Sequence, residues 1–109
     1  MSADTALDMV LNAVLKEVSG RCDFVHAEAF RPVGNSCMVQ SGASFCANAA
    51  ASDFHRASMN FHFPQNMCVA GRVWKSVQTE WHQDVSVLPH AVYARAEIAR
   101  VAELRACFA

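Results

Sequence analysis

Five cysteines and five histidines are the side chains in this sequence whose chemistry could reach beyond packing. A nucleophilic thiolate needs a base beside it and a group that stabilises an oxyanion. Cys68 is the best placed of the five, just ahead of a short predicted helix whose N-terminus would lower its pKa. An inert buried thiol fits the same position, and that is the commoner state of a free cysteine. Cys22, Cys37, Cys46, Cys68 and Cys107 are odd in number and widely scattered. Reduced thiols are therefore expected, not a disulfide framework. Metal binding needs converging ligands, usually with one closely spaced pair. His55, His62, Cys68 and His82 are the candidates, and they make neither a Cys-x-x-Cys nor a His-x-x-x-His pair. No metal and no cofactor are expected. Glu80 and Asp84 lie on an extended segment, where their spacing does not make a catalytic carboxylate pair.

These residues must be positioned by the elements around them. The chain has 109 residues, 53% hydrophobic and 17% charged, which suits one packed domain. Its formal net charge of −1 gives no general attraction to nucleic acid or to an anionic membrane. No apolar run approaches the ~20 residues that span a bilayer. The acidic start Met1-Ser2-Ala3-Asp4 is unlike a secretory leader. A cytoplasmic location is expected, or a nuclear one if the chain belongs to a transcription regulator.

Leu7, Val10, Leu11, Val14, Leu15 and Val18 form one stripe on an amphipathic helix. Ser2 or Asp4 would cap it and Ser19-Gly20 would end it. The stripe can pack on a sheet or on a partner's helix. Phe24 to Phe30 alternates, with Phe24, His26, Glu28 and Phe30 on one face. Arg31 to Asn35 reads as a turn and Ser36 to Gln40 as the returning strand. Ala47 to Ala57 suits a short helix anchored by Phe54, and Phe61-His62-Phe63-Pro64 an extended piece halted by proline. Val69 to Val77 predicts another short helix, followed by an extended segment from Trp81 to Val87. Pro89 opens a further helix with Ala91, Ala94, Ile98, Val101 and Ala102 buried, and Arg95, Glu97, Arg100 and Glu103 in water. Arg105 to Ala109 begins a strand. The layout is α+β with an antiparallel sheet.

The run Gly71-Arg72-Val73-Trp74-Lys75-Ser76, then Glu80-Trp81, Asp84-Val85, Tyr93 and Arg95, and Leu104-Arg105, resembles the second half of many GAF domains. Phe24 to Pro32 is similar to their first strand. The nearest flavour is that of plant and algal NIN-like regulators, which respond to nitrate, and of bacterial sensor kinases. Two departures stand out. The family's Gly-Leu-Pro-Gly loop is Cys68-Val69-Ala70-Gly71 here, and Val101-Ala102-Glu103-Leu104 lacks the glycine that usually closes the last helix.

The resemblance implies a GAF-like, PAS/GAF-type antiparallel sheet with helices packed on it. Family members continue past a segment like Ala106 to Ala109 into further strands and a closing helix. Residues 1–109 are thus expected to be a single partial domain, truncated at the C-terminus. It also implies a pocket beneath the loop and helix elements, where Phe61, Phe63, Trp74 and Trp81 would line a cavity and His62 or Arg72 would orient a polar ligand. The competing reading puts all four aromatics in the core and Arg72 on the helix surface or against Asp84. No cysteine is followed by histidine, so a covalent bilin is not implied.

The function implied is a regulatory or sensory module that binds a small molecule or an output domain in signal transduction. The first helix would join a homodimer or contact a neighbouring domain; neither nucleic acid nor membrane is expected as a partner of this domain. One alternative is a cysteine-dependent redox enzyme of the free methionine sulfoxide reductase type. Another is a structural dimerisation fragment without a ligand. A sensor predicts a cavity near Trp74 and Trp81, an enzyme predicts a cysteine bonded to a histidine, and a structural fragment predicts a filled core.

Overall fold

Ser2 begins the first helix, its Oγ accepting a hydrogen bond from the Thr5 amide at 3.1 Å. The computed structural model describes residues 2–109. Helix α1 runs Ala3–Cys22, past the expected stop at Ser19-Gly20, and ends where Asp23 turns left-handed at φ 57°. No helix is long and apolar enough to cross a membrane among the described residues.

Strands β1 (His26–Val33) and β2 (Cys37–Cys46) form an antiparallel hairpin around Gly34, whose φ is +56°. Both strands are longer than the alternation suggests. Pro32 pairs with Met38 inside the ladder, which an edge strand tolerates because its outer amides have no partner to lose. The register shifts between Glu28 and Phe30. The short β3 (Phe63–Pro64) adds to β2 opposite Cys37 and Met38, giving the order β1-β2-β3.

Because β3 is so short, the rest of that edge of β2 needs other partners. Helix α1 provides them. The Gly42 amide donates to Asp8 Oδ2 at 3.0 Å, and the Ser44 amide to Asn12 Oδ1 at 2.9 Å. Two polar residues one helical turn apart thus satisfy alternate amides of a strand. The sequence pattern counts both only as interruptions between apolar positions. The predicted apolar stripe is accordingly divided. Leu11 and Leu15 are half-buried, whereas Leu7, Val10, Val14 and Val18 remain 42–60% exposed.

Helix α2 (Ala49–Ser58) is capped by Asn48 and anchored by buried Phe54. Helix α3 (Cys68–Ser76) follows β3. Then β4 (Trp81–His82) pairs antiparallel with β5 (Cys107–Phe108) in a second, two-stranded sheet, and a 3-10 turn spans Val85–Val87. The helix predicted from Pro89 is shorter than expected. The Val92 and Tyr93 amides both donate to the Pro89 carbonyl, closing a turn, and helix α4 covers only Ala96–Val101. Ala91 is exposed, while Phe54, Val69, Val85, Tyr93, Ala96 and Ala99 make the core. The architecture is α+β with antiparallel sheets, as expected.

The two glycines missing from the family pattern fall where the backbone is left-handed. Cys68 sits at φ 57° and Glu103 at φ 60°. At Glu103 the Leu104 amide reaches the Ala99 carbonyl and the Glu103 amide the Arg100 carbonyl, the helix ending that favours glycine. A side chain in that conformation carries a steric cost. Glu103→Gly is expected to stabilise the domain by about 0.5–1 kcal/mol, after the extra unfolded-state entropy is set against relief of strain. Urea denaturation checks this, and a lower midpoint would refute it.

Candidate functional site

Alternation along β1 turns His26 and Glu28 toward the interior on the same face as Phe30. A carboxylate there must find partners, since a buried lone charge is prohibitively unfavourable. Arg95, from the turn before α4, supplies the main one: its Nη1 donates to Glu28 Oε1 at 2.6 Å. Gln40 Nε2 donates to Oε2 at 3.1 Å from the neighbouring strand. Nε2 of His26 lies 3.3 Å and Nδ1 of His55 3.7 Å from the same oxygen.

Arg95 is held as firmly as Glu28. Its guanidinium carbon lies 5.0–5.6 Å from the ring centres of Phe30, Phe54, Phe63 and Tyr93, within cation–π range of all four. Nη1 also donates to Ser58 Oγ at 3.1 Å, and that hydroxyl donates to the Phe54 carbonyl. The Nε of Arg95 is buried without a partner. Only 7% of the residue is exposed, so its expected place on the wet face of the helix is corrected.

The charge states follow from this packing. Burial alone would raise the Glu28 pKa, but the Arg95 charge and its hydrogen bond, with the imidazoles of His55 and His26 alongside, bring it down to about 2. Burial lowers the pKa of His26, against the pull of Glu28. Burial also opposes charge on Arg95, yet the Glu28 carboxylate outweighs it and the pKa is raised. The Tyr93 phenol is pushed up by burial and stays protonated.

Beside this ion pair lies a cavity of about 620 Å³. Phe30, Phe54, Val69, Val73, Val85 and Leu104 give it apolar walls, and His26, Glu28 and Arg95 a charged corner. Of the six predicted site residues, Trp74 and Trp81 line it. Phe63 is buried behind the wall, edge-on to Phe30 and stacked with Phe61. His62 is exposed. Arg72 grips Glu80 through two hydrogen bonds of 2.8–2.9 Å and donates to the Val92 carbonyl. His82 shares Glu80 at 2.8 Å. This second cluster ties α3 to the extended segment and to the turn below α4, and Arg72's partner is Glu80, not Asp84.

The family model for the GAF domain of NLP proteins matches residues 13–109. The chain is a GAF domain of that family. No curated protein gives a significant match. In this GAF domain the charged corner of the cavity is built from residues outside the six expected to bind a ligand. Arg95 and Tyr93 lie inside the GAF-like run, and a charged pair on the phenylalanine face of β1 is the sequence signal for His26 and Glu28. His55 is among the candidate metal ligands of the sequence, but no spacing joins it to His26 and Glu28, and only the packing of α2 brings it there.

The cysteines do not have the arrangement a redox enzyme predicts. Buried Cys68 points its Sγ at the His90 and Ala91 carbonyls, both 3.9 Å away. Burial pushes the Cys46 and Cys107 thiols up. No cysteine bonds to a histidine among the described residues.

Proposed function

We propose that this GAF domain is a sensory module in signal transduction, whose cavity takes a small molecule with an apolar body and a hydrogen-bond-accepting end. The cavity beside Arg95 carries this reading. Its apolar walls would bury the ligand's body, and the charged corner with Arg95 would meet its accepting end.

The signal would leave through α1. Strand β1 carries His26 and Glu28 in the charged corner, and α1 packs on both β1 and β2. The exposed Leu7, Val10, Val14 and Val18 lie at the spacing of a helix–helix seam, which suits a second copy of this chain.

The test uses anilinonaphthalene sulfonate, an apolar anion, as probe. Wild type is expected to bind it saturably at one site, quenching Trp74 and Trp81 by energy transfer. Val73→Trp, which fills the cavity, should weaken binding at least ~10-fold, equivalent to about 1.4 kcal/mol. Val14→Glu should leave probe binding intact and lower the sedimentation coefficient to that of a monomer. Unchanged affinity in Val73→Trp would remove the cavity reading, and a wild type already monomeric would remove the seam.

A further inference from the structure

His26, Glu28 and His55 bring three ligand-type atoms together from a strand and a helix. Nε2 of His26 lies 3.1 Å from Nδ1 of His55 and 3.3 Å from Oε2 of Glu28, and the third side, His55 to Glu28, is 3.7 Å. A point equidistant from these three atoms lies about 2 Å from each, the length of a Zn–N or Zn–O bond. From this geometry we propose that His26, Glu28 and His55 form a binding site for a late first-row divalent cation, zinc in the first place.

The donor set decides the class of ion. Two imidazoles and one carboxylate suit zinc, cobalt or nickel, whereas magnesium and calcium prefer sites made of oxygen alone. The surroundings hold the donors in place. Arg95 engages Oε1 of Glu28, which turns Oε2 to the histidines, and Gln40 supports Oε2. The edge of the Phe54 ring fixes the plane of His26, their centroids 5.1 Å apart at 84°. Side-chain exposure of 9%, 11% and 18% for His26, Glu28 and His55 limits competition from water. Without an ion, the short contact between the two imidazole nitrogens requires a proton on one of them. A cation replaces that proton and uses both lone pairs.

The positive charge of Arg95 works against a dication and favours an anionic fourth ligand. His26 and Glu28 also border the cavity, so the fourth position opens toward it. The site does not depend on the sensor reading, because three side chains can bind the ion with no organic ligand present. It departs from the expectation of no metal, which rested on sequence spacing alone.

The full chain, stripped with chelator, is titrated with zinc chloride by calorimetry and loaded in parallel with cobalt. Wild type should bind one zinc ion and melt at a higher temperature, and cobalt should give the d–d absorption of nitrogen and oxygen ligation. Magnesium should do neither. Glu28 belongs to the buried ion pair and His26 packs against it, so His55→Ala, with its fold checked by circular dichroism, is the main variant. It should lose at least ~100-fold in affinity, above the range that outer partners of a metal site cost. His62→Ala, His82→Ala and His90→Ala should bind like wild type. No binding by wild type, wild-type affinity in His55→Ala, or a loss confined to His82→Ala would each overturn the proposal.

Discussion

Arg95→Leu is expected to destabilise the domain by about 3–5 kcal/mol at neutral pH, the usual consequence of removing one partner from a buried ion pair. The side chains of Arg95 and Glu28 are 8% and 11% exposed, so water cannot take over the orphaned carboxylate. Loss of four aromatic contacts to the guanidinium adds to the effect. Glu28→Leu/Arg95→Leu should recover most of the loss, since no charge is left unpaired. Urea denaturation of the three proteins measures all of this, and a double variant as unstable as Arg95→Leu would contradict the ion-pair account.

Acid separates charge from packing. In wild type the folded pKa of Glu28 is about 2, against 4.5 for the free side chain. A depressed carboxylate contributes stability that is complete above the unfolded value and lost as pH falls toward the folded one. For Glu28 that contribution is roughly 3 kcal/mol, lost between about pH 4.5 and 2. His26 acts in the same direction at higher pH. Burial lowers its folded pKa below 6.5, so the unfolded chain takes up a proton first and stability declines as pH falls below that value. Arg95→Leu should instead raise the Glu28 pKa, and protonation would then relieve the buried charge. The gap in stability between wild type and Arg95→Leu should narrow from pH 6 to pH 3. A gap that is constant with pH would assign the loss to packing alone.

Gly71→Ala is expected to cost at least ~3 kcal/mol, the upper end of what overpacking does to a core. A Cβ at position 71 would lie 2.0 Å from the Pro64 carbonyl oxygen, with the Pro64 carbon and the Asn66 nitrogen at 3.2 and 3.3 Å. All three are backbone atoms, so no side chain can swing aside. The same contact is bonded, because the Asn66 amide donates to the Gly71 carbonyl at 2.9 Å. Relief would require α3 to slide off the turn after β3, carrying Val69, Val73 and Trp74 away from the cavity. Gly20→Ala is the control, since a Cβ there meets nothing within 4 Å. Inside α1 it should be neutral or stabilise by up to ~1 kcal/mol. Equal melting temperatures for Gly71→Ala and wild type would show that α3 does not pack as closely as described.

Much of the fold is legible in the sequence because it is local. The Ser2 cap, the turn at Gly34, Phe54 as the anchor of α2 and the short helix at Cys68–Ser76 follow from residue type and near-neighbour spacing. The ordered run from Gly71 to Arg105 was enough to point to the GAF family. Gly71 was visible as part of that run, but its reason lies in the approach of a distant carbonyl.

The site was mostly hidden, and for one physical cause. Arg95, Glu97, Arg100 and Glu103 are spaced like a solvated helix face, and charge is stable in water by default. Only the position of Glu28 makes burial of Arg95 tolerable, and no local pattern links the two. His55 reaches the cluster only because α2 packs beside β1. Asp8 and Asn12 likewise look like surface residues until β2 presents amides that need acceptors. Sequence by itself determined most of the helices, turns and strands and which family they compose, since those depend on steric and apolar preferences over a few residues, though not the turns at Val85–Val87 and after Pro89. Tertiary structure alone decided which polar groups meet, because a buried charge or donor is stabilised only by a partner that folding brings to it.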